Sequence, residues 1–356
     1  MRLTDLGWTD VRESEFAPFR AEGLVPGRVG VEHKDGYGLY VEGAEIRAKV
    51  SGRLRHAAMG GATRPAVGDW VAARLPARDG GAVIHALLSR TSAFTRKTAG
   101  KADEEQVVAA NVDVVLLFIT LTEDPNPRRL ERYLAVAWES GAQPIVVLSK
   151  SDLVPDADQR QNELEAVAAG VPVVRISTVT GEGLDAIRTY LGHGRTLALL
   201  GPSGVGKSTL ANALLGSDRQ RTADVRTYDG KGRHTTTRRE LMPVPGGGLL
   251  LDTPGMRELQ LWDADAGLAE AFAEIEELAK GCRFRDCTHE AEPGCTVRAA
   301  ADAGRLPQER LESYRKLQSE LRHLEARQDT PAGRGRKREA RTANKALKAQ
   351  VKRKYD

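Results

Sequence analysis

The chain has 356 residues, with 53 Lys or Arg against 49 Asp or Glu and a formal net charge of +4. This length is typical of two or three domains, and a hydrophobic content of 40% excludes a wholly disordered chain. The sequence contains no run of about 18 apolar residues, and its start, MRLTDLGWTDVRESEF, has early acids and no apolar segment. We therefore expect neither a membrane span nor a signal peptide, and a cytoplasmic location.

The N-terminal part of the chain predicts a small all-β barrel. Residues 1–26 are interpreted as a loosely attached extension. Over residues 27–100, glycine interrupts short apolar alternations such as GRVGVEHKDGYGLYVEG and VGDWVAARL. This spacing favours a five-stranded oligonucleotide-binding (OB) barrel that contacts RNA. The alternative is a barrel that only packs on its neighbour, with His33, His56 and Trp70 as surface or core residues.

The central part, residues 107–260, predicts a doubly wound α/β domain. Continuous apolar runs such as VDVVLLFIT, QPIVVLSK, VPVVRIS and RTLALLGPS are typical of parallel strands buried on both faces. Helical patterns such as PRRLERYLAVAWESG lie between them, and this alternation is that of an α/β sheet covered by helices.

Two motifs in this domain predict a site for nucleotide phosphates and Mg²⁺. GPSGVGKST, residues 201–209, matches the G-x-x-x-x-G-K-[ST] phosphate loop, with an apolar strand before it and a helical pattern after it. Its backbone N–H groups surround phosphate oxygens, Lys207 reaches the β- and γ-phosphates, and Ser208 ligates Mg²⁺. In LLLDTPG, Asp252 is expected to hold the Mg²⁺ hydration shell, and Gly255 offers an N–H to the γ-phosphate.

Three further segments complete the predicted GTP site. In VLSKSDL, Lys150 and Asp152 have the K-x-D spacing of a guanine reader, in which a carboxylate accepts from N1–H and the exocyclic amine. Ser177 opens the loop STVTGEG, whose backbone N–H groups can contact the guanine carbonyl. The segment YDGKGRHTTTRRE resembles a first switch loop, and we assign Thr236 as its Mg²⁺ ligand.

The order of these motifs predicts a circular permutation. Ordinary GTPases run from the phosphate loop to the base reader, whereas here the base reader and its following loop come first. A permutation is tolerated because chain termini and loops lie at the surface. The segment after D-x-x-G then leads directly into the next domain, so the nucleotide state can be transmitted along the chain.

The C-terminal part, residues 261–328, predicts an α-helical zinc-binding domain. All three cysteines lie in CRFRDCTHEAEPGC, with the spacing C-x₄-C-x-H-x₅-C. Three thiolates and one imidazole form a closed shell for one structural Zn²⁺, whereas a disulfide would leave one thiol over. The predicted zinc ligands are Cys282, Cys287, His289 and Cys295. An apolar packing stripe on the second helical pattern comprises Leu311, Tyr314, Leu317, Leu321 and Leu324.

Residues 329–356 form a strongly basic tail. Its charge favours a polyanion, above all nucleic acid, as its partner. The alternative is a solvated or disordered tail that has no dedicated partner.

Together, QVVAANVDVV, GPSGVGKST, KGRHTTT, DTPGMREL and CRFRDCTHEAEPGCTV resemble the ribosome small-subunit-dependent GTPase A family, the circularly permuted YjeQ/RsgA-type GTPases. The resemblance covers about residues 27–325. It implies an OB fold, a permuted GTPase domain and a zinc-containing domain. It also implies GTP hydrolysis to GDP and phosphate, stimulated by the small (30S) ribosomal subunit, contact with its 16S rRNA, and a role in late maturation of that subunit. We expect a monomer without a membrane partner.

Two positions depart from ordinary GTPase patterns. The base reader begins with Ser149 in place of Asn or Thr, which puts the affinity for the base in question. Met256 stands where Ras-like switches have a water-orienting Gln, so we expect slow intrinsic hydrolysis, with His234 or a ribosomal partner positioning the water. The expected catalytic residues are Lys207, Asp252, Thr236 and His234.

The predicted ligands are GTP or GDP with Mg²⁺, and one Zn²⁺. The competing hypothesis is an RNA-binding scaffold whose nucleotide site is structural, and a small-molecule kinase is disfavoured because the base-reading loops would then have no purpose. Mg²⁺ is assigned to Ser208 and Thr236. The nucleotide is assigned to Ser149, Lys150, Ser151, Asp152, Ser177, Gly201, Pro202, Ser203, Gly204, Val205, Gly206, Lys207, Ser208, Thr209 and Gly255.

Overall fold

The computed structural model describes residues 1–57, 64–76, 80–97, 105–123, 126–168, 170–216, 239–252 and 265–326. The strands are β1 (Val25–His33), β2 (Gly36–Val41), β3 (Ala44–Val50), β4 (Trp70–Arg74), β5 (Ala82–Leu87), β6 (Ala93–Lys97), β7 (Glu105–Ala110), β8 (Val114–Thr120), β9 (Gln143–Ser149), β10 (Val173–Ile176), β11 (Thr196–Leu200), β12 (Glu240–Pro243) and β13 (Leu249–Asp252). The helices are α1 (Asp10–Ala21), α2 (Gly52–Ala57), α3 (Pro127–Ser140), α4 (Ala157–Ala168), α5 (Leu184–Thr189), α6 (Lys207–Leu215), α7 (Asp265–Ala271), α8 (Ala273–Ala279), α9 (Thr296–Asp302) and α10 (Gln308–Ala326), with 3₁₀ turns at Leu3–Leu6 and Ser151–Leu153.

Strands β1 to β5 close into the predicted OB barrel. Their order is β1-β2-β3-β5-β4, and β4 pairs back onto β1. All neighbours are antiparallel except β3 and β5, which run parallel. The barrel interior holds apolar side chains from alternating positions, among them Val29, Leu39, Val71 and Ile84. Strand β4 covers the edge of β1 only over Val25–Arg28, so the later part of β1 keeps an edge that can pair outside the barrel.

The N-terminal segment is packed firmly on the barrel, so the expected loose attachment is wrong. Leu6 and Phe16 are fully buried at 0% exposure. The ring of Trp8 meets the ring of Trp70 edge-on, with 4.8 Å between the centroids. Trp70 is itself 2% exposed, so it belongs to the core and offers no surface to RNA. His33 and His56 are both exposed.

The GTPase part is the predicted parallel sheet covered on both faces. Its parallel strands lie in the order β10-β9-β8-β11-β13. Every residue of the central strand β8 is buried. Val115 and Leu117 of β8 face a cluster that includes Leu130 and Leu134 of α3. The alternate residues of the same strand face a second cluster, which includes Ile187 of α5 and Leu210 and Leu214 of α6.

A short strand that the sequence did not reveal joins the barrel to the GTPase sheet. Strand β12 pairs antiparallel with β13, where Glu240 lies opposite Asp252. Its other edge meets β1, with Val31 opposite Glu240. An ion pair between Arg239 and Glu32, 2.9 Å long, supports the junction. In the described parts of the chain, these pairings make one eleven-stranded sheet, while β6 and β7 form a separate hairpin.

A buried arginine fixes the same junction from the inside. Arg28 is 2% exposed, and its guanidinium donates to the hydroxyl of Thr196 at 2.7 Å and to the carbonyl of Asn111 at 2.9 Å. It also donates to the carbonyls of Gly68, at 3.2 Å, and of Leu6. Thr196 is the first residue of β11, the strand that leads into the phosphate loop. The barrel, the N-terminal segment and this strand are therefore joined at one side chain.

The C-terminal part is helical, as predicted, and it docks on α3. The first helical pattern is broken at Phe272 into α7 and α8. The guanidinium of Arg310 on α10 lies 2.8 Å from the carboxylate of Glu131 on α3. Among the residues described, no helix is both long and apolar enough to cross a membrane. The packing stripe of α10 is confirmed for its buried members Leu311, Tyr314, Leu317 and Leu321.

Candidate nucleotide and metal sites

The predicted nucleotide motifs meet at one edge of the sheet. Strands β9, β10, β11 and β13 are parallel, so their carboxyl ends point the same way. The base reader follows β9, the base loop follows β10, the phosphate loop follows β11, and Asp252 is the last residue of β13. The carboxyl edge of an open parallel sheet is where such folds bind their ligands. The fold therefore assembles motifs that are far apart in the sequence.

The phosphate loop has the backbone shape that its sequence predicts. Gly206 has φ of 100°, a left-handed conformation that glycine adopts without strain, and α6 begins directly after it at Lys207. A Cβ atom on Gly201 would lie 2.8 Å from Cβ of Phe118, so only glycine fits beside β8. The ammonium of Lys207 donates to the carbonyl of Gly201 at 2.7 Å and to that of Pro202. The lysine is thus held at the mouth of the loop, beside the N–H groups that open α6.

The base reader is bonded directly to the phosphate loop. Ser149 is 3% exposed, and its hydroxyl lies 2.7 Å from the carbonyl oxygen of Val205 and 3.3 Å from that of Ile119. Lys150 follows in a left-handed conformation with φ of 62°, which turns the chain sharply at the end of β9. Asp152 is exposed at the rim, where its carboxylate is accessible to a base.

The base loop is held by its own first residue and by a glutamate. Ser177 is fully buried, and its hydroxyl oxygen accepts from the backbone N–H of Thr180 at 3.1 Å and of Val179 at 3.2 Å. Glu182, at the far end of the loop, accepts a 2.7 Å hydrogen bond from the hydroxyl of Ser151. Sequence reasoning did not select Glu182, and its position in TGEG gave no signal of a contact with the base reader.

Several expected residues lie outside the part of the chain that the structure describes. Asp252 is described and is half-buried at the end of β13. The γ-phosphate-sensing glycine, the switch residues and the basic tail stay predictions from the sequence. These are His234, Thr235, Thr236, Thr237, Gly255, Met256 and residues 329–356.

The four predicted zinc ligands come together. The ligand atoms of Cys282, Cys287, His289 and Cys295 all lie within 4.8 Å of one another. The sulfur of Cys282 is 3.9 Å from that of Cys295, and Nδ1 of His289 is 3.4 Å from the sulfur of Cys295. A tetrahedral zinc ion with ordinary bond lengths separates two sulfurs by about 3.8 Å and a sulfur from a nitrogen by about 3.6 Å. The cluster therefore fits a closed Cys₃His zinc shell.

The surroundings of the cluster shift the pKa values of its ligands in both directions. Burial lowers the pKa of His289, which keeps the imidazole neutral and able to donate a lone pair. Burial alone would raise the pKa of the Cys282 thiol, but hydrogen bonds from Thr296 and neighbouring backbone groups outweigh it and leave that pKa lowered. Burial raises the pKa of Cys287 to about 11. The thiol of Cys295 also caps α9, accepting from the N–H of Arg298 at 3.4 Å.

Comparison with known proteins identifies the family to which the chain belongs. The model of the RsgA GTPase family matches residues 87–262. A protein of Opitutus terrae named small ribosomal subunit biogenesis GTPase RsgA is 51% identical over 92% of both chains. A protein of the same name from Streptomyces avermitilis is 48% identical over 92% of this chain and 88% of its own. The chain belongs to the RsgA GTPase family.

Solved structures agree with this membership. YjeQ from Thermotoga maritima is 30% identical and matches with a TM-score of 0.63 over 84% of this chain and 98% of its own. YloQ, described as a circularly permuted GTPase, matches with a TM-score of 0.61 at 22% identity, which supports the fold. The predicted architecture is confirmed: a barrel, a permuted phosphate-loop domain and a C-terminal Cys₃His cluster. As an RsgA-family GTPase, the chain takes a guanine nucleotide with Mg²⁺.

Proposed function

We propose that the chain is a GTPase of small-subunit biogenesis. It binds GTP with Mg²⁺, hydrolyses it to GDP and phosphate when the 30S subunit stimulates it, and contacts 16S rRNA during late maturation. The observation that carries the nucleotide part of the proposal is the 2.7 Å hydrogen bond from Ser149 to Val205, which joins the base reader to the phosphate loop. The names of the relatives, which designate small-subunit biogenesis GTPases, support the ribosomal partner. The protein acts as a monomer in the cytoplasm, where ribosomal subunits are assembled.

Each residue of the nucleotide site has a physical role in this proposal. Asp152 accepts from N1–H and the exocyclic amine of guanine, a donor pattern that adenine does not present. Lys207 and the N–H groups at the start of α6 bind the phosphates and stabilise the charge that develops during transfer. Ser208 would hold the Mg²⁺ ion and Asp252 its hydration shell, and the ion when bound supplies positive charge to the phosphate oxygens. Thr236 is proposed as a further Mg²⁺ ligand.

The attacking water needs a group to orient it, because Met256 has no polar atom suited to the task. We assign this role to His234, with a group of the ribosomal subunit as the alternative. Replacing His234 by Ala is expected to lower the turnover number measured on small subunits. An unchanged stimulated turnover number would exclude this histidine.

The remaining parts of the chain supply binding surfaces and structure. We propose domain limits of 27–100 for the barrel, 107–260 for the GTPase domain and 261–328 for the zinc-binding domain, flanked by the segment 1–26 and the basic tail 329–356. Barrel and tail contact RNA, and affinity through the tail falls steeply with added salt because bound phosphates release counterions. The Cys₃His cluster holds one Zn²⁺ that is structural, since four protein ligands leave no open position.

The deciding experiment is GTP turnover by the purified chain, alone, with small subunits and with large subunits. ATP serves as the control for base choice. Stimulation by small subunits with GTP alone is the expected result. Equally slow turnover under all conditions would exclude stimulation by a ribosomal partner. It would favour the competing hypothesis, an RNA-binding scaffold with a structural nucleotide site.

A further inference from the structure

Glu182 connects the two loops that are expected to surround the base. One carboxylate oxygen, Oε2, accepts from the hydroxyl of Ser151 at 2.7 Å. The other, Oε1, accepts from Nε of Arg175 at 2.9 Å. Its backbone carbonyl accepts from the N–H of Ser177 at 3.1 Å. The residue is thus bound to the base reader, to strand β10 and to the start of its own loop.

The contact with Ser151 fixes the base reader at its middle. Ser151 stands between Lys150 and Asp152, and it is 7% exposed. The left-handed backbone of Lys150 begins a single 3₁₀ turn over Ser151–Leu153. In so short a turn, the direction of each side chain follows that of its neighbours. A bond that holds Ser151 therefore also helps to fix the backbone of Asp152 and the direction in which its side chain leaves the chain.

Arg175 anchors the glutamate to the sheet. It lies on β10, where its neighbour Ile176 is in register with Ser149 of β9. Its guanidinium also pairs with Asp158, whose side chain is 90% exposed. The link from Ser151 through Glu182 to Arg175 thus bridges the carboxyl ends of two adjacent parallel strands. Within the described residues, Glu182 is the side-chain partner of the Ser151 hydroxyl.

We propose that Glu182 is a positioning residue for guanine recognition. By holding the base reader and the base loop together, it lets Asp152 meet N1–H and the exocyclic amine while the loop meets the carbonyl oxygen of the same base. This inference rests on the proposed guanine site and deepens it. It predicts that Glu182 affects the choice of base more than it affects folding, because its side chain is 42% exposed and exposed ion pairs stabilise a fold little.

Binding of GDP and of IDP to the full-length protein tests the proposal, since inosine lacks only the exocyclic amine. The readout is the ratio of the Kd for IDP to the Kd for GDP, measured by calorimetry with Mg²⁺ present. Glu182→Ala is expected to lower this ratio about fivefold, the value of one lost hydrogen bond. Ser151→Ala is expected to do the same, and the double variant no more than either single one, because the two act through one bond.

Two controls separate positioning from a structural effect. Glu182→Gln retains an oxygen that can accept from Ser151, so it is expected to restore most of the ratio. Asp158→Ala removes the other, exposed partner of Arg175 and is expected to leave the ratio unchanged. Thermal melting of each variant reports on the fold independently of nucleotide binding.

The outcomes distinguish this inference from the proposed function. Asp152→Asn is expected to abolish the preference for GDP. If it does so while Glu182→Ala keeps the wild-type ratio, or if the two single effects add in the double variant, the positioning role is overturned and the GTP site stands. If the unaltered protein binds ADP as tightly as GDP, the guanine site fails, and the role of Glu182 fails with it.

Discussion

The hydroxyl of Ser149 donates a 2.7 Å hydrogen bond to the carbonyl oxygen of Val205, joining the end of β9 to the phosphate loop. The bond is shielded from water, because Ser149 is 3% exposed. The serine that departs from the usual Asn or Thr therefore still reaches the loop that binds phosphate. We therefore expect that displacement of the base reader displaces this loop and connects binding of the base with binding of the phosphates.

Replacing Ser149 by Ala is expected to weaken GDP binding about five- to tenfold, since the carbonyl of Val205 loses its buried donor. Kd values from titration with a fluorescent GDP analogue measure the effect. Ser149→Thr keeps the hydroxyl and is expected to bind nearly as well as the unaltered protein. Equal affinity of the Ala variant would show that the bond does not contribute.

Replacing Lys207 by Ala is expected to reduce subunit-stimulated GTP turnover at least about a hundredfold, because the phosphates lose their nearest cation. Phosphate release on small subunits is the measurement. Lys280→Ala is the matched control, because Lys280 lies in an exposed pair with Glu277. Under the scaffold hypothesis, Lys207→Ala would retain both subunit binding and cellular function.

Glu131 is expected to hold the C-terminal helices against the GTPase sheet. It is 2% exposed and binds Arg310 and Ser313 of α10. Glu131→Ala leaves a buried guanidinium with less compensation, so the free energy of unfolding is expected to fall by about 3 kcal/mol. The control is Arg132→Ala, which breaks the half-exposed pair with Glu320 and is expected to cost at most about 1 kcal/mol. Similar melting temperatures for both variants would show that Glu131 does not hold the C-terminal helices in this way.

Phe16 tests the attachment of the N-terminal segment. Phe16→Ala removes a fully buried ring and is expected to lower the free energy of unfolding by about 3–5 kcal/mol. Val11→Ala, on the same helix but 70% exposed, is expected to change it by less than about 0.5 kcal/mol. Denaturant unfolding compares the two. A change of similar size in both variants would indicate that the N-terminal segment is loosely attached.

Metal analysis is expected to find one zinc ion per chain, and a chelator is expected to lower the melting temperature. Cys295→Ser should lose the metal, because it removes a thiolate that also caps α9. Glu290→Ala, an exposed change in the same loop, should retain it. A Cys295→Ser protein with full zinc content would exclude the Cys₃His shell.

The sequence predicted those features that depend on local pattern. Parallel buried strands have long apolar runs, the phosphate loop needs glycines at fixed positions, and zinc ligands require Cys and His at short spacings. All three patterns can be recognised without knowing which residues lie close together in the fold. They were enough to predict the permuted domain and the metal cluster, and the short apolar alternations interrupted by glycine were enough to predict the barrel.

The features that the sequence did not predict depend on tertiary partners. Strand β12 has four residues, too few to show an alternation, and it forms because β1 and β13 offer open edges on both sides. Phe272 breaks a pattern that is continuous in sequence. Glu131 and Glu182 resemble ordinary surface acids on their local patterns, and only their contacts with Arg310 and Ser151 reveal their roles.

The bond between Arg28 and Thr196 spans 168 residues of chain. At synthesis rates of about 5–20 residues per second, Arg28 is made roughly 8–34 s before its partner. The barrel strands need no residue beyond β5 to close, so the barrel can be complete by then. We therefore expect the GTPase sheet to form against a barrel that is already folded, and strand β11 to complete the contact between them through Thr196.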